Sequence, residues 1–161
     1  MAKANPCAAK NPYGAAKNPC GPCGAAAVID LTPEEAATAY ECVKAQLKAG
    51  YAAPDIAFAK IYQGSPRFNK VPYRSTTHSN RFVNNYIATA AYGKFEAGGA
   101  MPQGTLIAKD SFIVSPNGSV APGPLFLMEK MTKGFDGGAG DWRYTLVDAG
   151  GKTVGATGGK G

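Results

Sequence analysis

The sequence has one histidine, one tryptophan and four cysteines in 161 residues. A lone histidine, His78, excludes a multi-histidine metal site. No run of 18 apolar residues occurs, so no membrane-spanning helix is predicted. The formal charge of +6 comes without a Lys/Arg run and without basic residues interleaved with aromatics. The lysines therefore read as scattered and solvated, not as a nucleic-acid footprint. A Ser-His-Asp pattern, a metalloprotease helix, a phosphate loop and a dinucleotide fingerprint are all missing. Met1-Ala2-Lys3 runs directly into Asn-Pro-Cys repeats with no apolar leader segment. That reads as a cytoplasmic chain, or as one whose leader is not part of the sequence.

What is present suits one globular domain behind a tail. Hydrophobic residues make up 45% of the chain, enough for a core at this length. Residues 1–27 are low-complexity: Ala-Ala-Lys-Asn-Pro recurs at Ala8–Pro12 and Ala15–Pro19. Few large apolar groups are there to offset ordering entropy, so this stretch is expected to be a mobile tail. It carries Cys7, Cys20 and Cys23. Cys20-Gly-Pro-Cys23 is a Cys-x-x-Cys, but Gly24 follows where a c-type haem site needs histidine. The flanks lack the strand and helix of a thioredoxin-like pair, and no second cysteine pair completes a zinc site. A tail disulfide or free thiols is the plain reading.

The domain is expected over residues 28–161. Thr32, Pro33 and Glu35 form a capping box that opens a helix. Its apolar stripe is Ala36, Ala39/Tyr40, Val43 and Leu47, with Cys42 as a small buried residue beside it and Gly50 as its end. A short helical piece is predicted from Asp55 to Tyr62. An extended connection over 66–78 leads to a long helix from Ser79 or Asn80 to about Glu96, with Phe82, Tyr86, Thr89/Ala90 and Gly93 on one face. From there the period becomes 2. Strands are predicted at Thr105–Ser115, Leu125–Met131, Trp142–Asp148 and Thr153–Ala156, the first turning at Asn117-Gly118. The fold class is α+β, with N-terminal helices packed on one face of an antiparallel meander.

Four positions stand out chemically. Lys109 shares a strand face with Ile107, Ser111 and Ile113; its head either reaches water at an edge or sits in a pocket with a lowered pKa. His78 precedes the expected long helix, and Arg81 lies one turn inside it. Asp141 stands at a loop–strand junction, where a turn-stabilising role is the plain reading.

The runs Arg81-Phe82-Val83-Asn84-Asn85-Tyr86, Pro102 to Lys109 (P-x-G-x-x-x-A-K) and Gly140-Asp141-Trp142 resemble the cytochrome P-460 family, over roughly Leu31 to the C-terminus. The resemblance implies a small α+β homodimer in the periplasm, carrying a c-type haem with a lysine cross-linked to the macrocycle. Characterised relatives oxidise hydroxylamine; others are sensors or gas binders. The implied partners are a hydroxylamine-type or nitrogen-oxide ligand and an electron-transfer protein. Lys109 matches the cross-linking lysine, Asp141 a proton-handling carboxylate and Arg81 a pocket arginine. Lys109, His78, Tyr86, Phe112 and Met128 are the implied haem contacts. No Cys-x-x-Cys-His occurs, and the chain stops about where family members run on into that motif. The expectation is therefore either the body of a haem protein or a haem-free binding module of the same fold with its cysteine-rich tail as tether or metal clip. A redox role for Cys20 and Cys23 is the third possibility.

Overall fold

The structure, a computed structural model, describes residues 29–52, 55–116 and 118–157. The expected tail with Cys7, Cys20 and Cys23, and the hairpin residue Asn117, lie outside the described residues. The first helix, α1 (Pro33–Tyr51), begins as its capping box predicts. Thr32 Oγ1 accepts the Glu35 N–H at 3.3 Å, and Glu35 Oε2 accepts the Thr32 N–H at 2.8 Å. Ala36, Ala39, Tyr40, Val43 and Leu47 are buried on one stripe. The helix does not stop at Gly50. It runs on to Tyr51, whose hydroxyl donates to the Gly123 carbonyl at 2.5 Å. Gly50 is there for close approach: a Cβ on it would stand 2.3 Å from the Ala149 carbonyl oxygen. Cys42 is half-buried and disulfide-bonded. The short helix α2 (Ala57–Ile61) passes into a 3-10 turn at Tyr62–Gly64.

The expected long helix from Ser79 or Asn80 to Glu96 is not formed. Ser79 and Asn80 both have φ of 57°, a left-handed turn. Arg81–Ile87 is a strand, β2, and only Thr89–Glu96 is helical, as α3. Six consecutive residues of β2, Phe82 to Ile87, are buried. A strand covered on both faces shows no apolar–polar alternation. Its aromatic and β-branched residues suit the pleat better than a helix.

Ahead of β2 lies a short β1 (Tyr73–Ser75). After α3 come β3 (Leu106–Val114), β4 (Val120–Pro122), β5 (Leu125–Lys130), β6 (Trp142–Val147) and β7 (Thr153–Ala156). They form one antiparallel sheet in the order β1-β2-β3-β5-β6-β7, with β4 paired to β3. The protein is α+β, with helices packed against the sheet. Tyr40, Val43 and Leu47 of α1 and Phe58 of α2 share one core with Phe82, Tyr86, Ala108, Phe112, Leu125, Leu127 and Val147. Those sheet residues all belong to one face, since strand neighbours alternate. Among the described residues no helix is long and apolar enough to cross a membrane.

Candidate functional site

The sheet face turned away from α1 and α2 carries the other parity. Register places Lys109 beside Phe126, Ile107 beside Met128, Phe126 beside Leu146 and Met128 beside Tyr144. These side chains floor an open cleft of about 600 Å³. His78 stands at its rim, at the end of the 3-10 turn Thr76–His78 between β1 and β2. Its Nδ1 lies 2.6 Å from Ser75 Oγ and 3.0 Å from Thr77 Oγ1. Its ring meets Phe126 edge-on, with centroids 4.4 Å apart. Hydrogen bonding at one nitrogen and the aromatic contact together fix the ring orientation.

Lys109 is half-buried and has no hydrogen-bond or ion-pair partner among the described residues. Burial lowers its pKa, because removing water disfavours the ammonium form. His78 is lowered too, first by burial and then by the Lys109 charge. Among the described residues the lining includes no Asp or Glu to offset either shift.

Of the residues singled out in sequence, the cleft brings together Lys109, His78 and Met128. Tyr86 and Phe112 are not with them. Both are buried in the core on the opposite face: Tyr86 pairs with Ala108, and Phe112 stacks on Phe82 at 5.5 Å. Asp141 also lies outside the cleft lining. It has φ of 59°, and its Oδ1 accepts the N–H groups of Gly134 at 3.1 Å and Asp136 at 3.0 Å. That is the turn-stabilising role. Arg81 opens β2 opposite Ser75, and its guanidinium lies beside Gly123.

A second polar centre, on the helix side, went unread in the sequence. Asp110 is fully buried. Its Oδ2 accepts the hydroxyls of Tyr40 at 2.9 Å and Tyr62 at 3.0 Å, and its Oδ1 accepts Asn84 Nδ2 at 3.2 Å. Tyr86 adds its hydroxyl to that of Tyr40 at 2.5 Å. Burial pushes the Asp110 carboxyl up to about 6 against the pull of these hydrogen bonds. Burial, and then the Asp110 charge, push Tyr40 and Tyr62 well above the ordinary phenol value and Tyr86 up to about 12. The one available signal was parity: Asp110 alternates with Ala108 and Phe112, so a carboxylate falls on the core face. Nothing in the sequence pairs it with tyrosines 48 and 70 residues away.

Among the described residues no group of three or more His, Cys, Asp or Glu is placed to hold a metal ion. Compared with protein-family models and with curated proteins, the chain matches none.

Proposed function

We propose that the open-face cleft is the haem-contact surface of a small haem protein of the cytochrome P-460 kind. In this reading the protein binds or oxidises hydroxylamine or a related small nitrogen species and passes electrons to a partner protein. The observation that carries it is Lys109, an unpaired amine in the floor of an apolar cleft, at the position where the resemblance puts a cross-linking lysine.

The residues present fit the flat faces of a macrocycle. Phe126, Met128, Leu146 and Ile107 supply apolar wall, and Lys109 supplies one nucleophilic nitrogen among them. When bound, haem would supply an iron centre for holding the small ligand and withdrawing electrons. The chain's own part is to exclude water with those walls and to hold the Lys109 amine toward its neutral form. His78, oriented through Nδ1 by Ser75, is the titratable group at the rim that can hold or release a proton there. Asp141 is committed to its loop, so proton handling falls to His78 in this reading. The disulfide at Cys42 supports an oxidising compartment such as the periplasm. Tyr144 and Val154, exposed on neighbouring strands at one side of the sheet, support a second copy docking there.

The test is a haemin titration of the full chain, followed by the Soret band. Saturable one-to-one binding is expected, weakened in Met128→Asp and changed in spectrum by Lys109→Met. Unsaturable uptake, equal in all three proteins, would remove the haem reading. A haem-free binding module of the same fold is the second reading, and the apolar lining of the cleft alone suits it.

A further inference from the structure

We infer that Lys109 is a covalent capture site for small apolar aldehydes, which it holds as a reversible imine in the open-face cleft. This stands apart from the haem reading, since it needs only the free amine.

Three features of the cleft point this way. Among the described residues the amine has no carboxylate partner: the ionisable side chains lining the cleft are His78, Lys109 and Tyr144. The surroundings are apolar, so the neutral amine gains relative to the ammonium, as its lowered pKa reflects. The volume beside it, about 600 Å³, is bounded by Phe126, Met128, Leu146 and Ile107. That space suits a hydrocarbon or aryl tail and offers no fixed cation beyond Lys109 for a substrate carboxylate. An apolar aldehyde therefore fits better than an oxo acid.

The chemistry balances without an oxidant or reductant. The Nζ lone pair forms a bond to the carbonyl carbon, and the C=O π pair passes to oxygen. Both amine hydrogens end on that oxygen, which leaves as water, and a C=N bond remains. His78, at the rim of the same cleft with its ring fixed by Ser75 and Phe126, is placed to relay these protons.

The test is competitive labelling of the full chain at neutral pH with hexanal, trapped by cyanoborohydride. Peptide mass spectrometry then ranks the lysines. Lys60 and Lys152, both exposed, serve as internal references. Lys109 is expected to be alkylated faster than either, because the apolar walls hold the hexanal tail beside an amine that burial keeps more neutral. Glyoxylate, small and anionic, shares the easier deprotonation but not the apolar walls, so its preference for Lys109 should be smaller. Lys109→Met should lose the fast label while Lys60 and Lys152 keep theirs, with circular dichroism reporting that the fold is intact. Labelling of Lys109 no faster than Lys60 and Lys152 would overturn the inference. So would an equal preference for glyoxylate, because the apolar walls would then contribute nothing.

Discussion

Replacing Asp110 by asparagine tests the buried centre most directly. In the native protein the carboxyl rises from its ordinary 3.8 to about 6. Between these values the folded state holds a proton that the unfolded chain has released. Stability therefore falls as pH rises through this window and levels off above the folded pKa. At about 1.4 kcal/mol per pH unit, the loss attributable to Asp110 is about 3 kcal/mol. Asparagine cannot ionise, so Asp110→Asn lacks this component. It carries a separate cost that does not depend on pH. With its carbonyl turned to Tyr40 and Tyr62, its NH₂ faces the Asn84 NH₂. Asn84 cannot turn to relieve this, because its Oδ1 already accepts Arg67 and Asn69. A donor left unmade there costs about 1–3 kcal/mol. Urea unfolding of both proteins from pH 4 to pH 7, at fixed ionic strength, gives the difference curve. The wild-type advantage should shrink by about 2 kcal/mol across that range, the remainder having been lost below pH 4. A difference that is flat, or that grows with pH, would mean that Asp110 ionises in the fold as easily as in water, and the burial argument would fail.

Two further outcomes follow from the same packing. Tyr40, Tyr51, Tyr62 and Tyr86 are all raised by burial, so the stability they contribute is present below pH 10 and is lost as pH rises above it. Four such groups give a slope of about 5 kcal/mol per pH unit, which should unfold the protein within about two pH units; Tyr62→Phe should lower that slope by about a quarter, and tyrosinate absorbance appearing near pH 10 with native circular dichroism would contradict it. Gly50→Ala should destabilise by about 1–3 kcal/mol, despite a helix-propensity gain of about 1, because the new methyl meets the Ala149 carbonyl oxygen; an unchanged or raised denaturant midpoint would show that this contact yields freely.

The start of α1 was legible because a capping box is a local signal: two side chains close on two backbone amides within four residues. β3, β5, β6 and β7 were legible for a similar reason, since alternation and glycine turns are short-range, whereas the three-residue β4 beside β3 went unread. β2 was misread because a separation of four satisfies both periods. Phe82 and Tyr86 share a face on a helix and also on a strand. Asn84 and Asn85 then hid the run, being polar yet buried, each satisfied by side chains distant in the chain. The cleft was half legible. Lys109 and Ile107 were rightly put on one face, but Phe112 is three residues from Lys109 and so points the other way on a strand. Tyr86 pairs with Ala108, and that parity is visible only once β2 is known to be a strand.

The last strand has a consequence of its own. β7 closes the sheet order, and all four of its residues are exposed, with Gly155 in the middle. Among the described residues no strand lies along its outer edge, so the sheet is a scaffold with a growing end. A further strand, from any chain, could join there through backbone hydrogen bonds alone and heighten one wall of the Lys109 cleft without moving a core side chain. The two layers are thereby separable in how they change. The tyrosine–aspartate side is locked by mutual contacts, while the open side is free to be rebuilt one strand at a time.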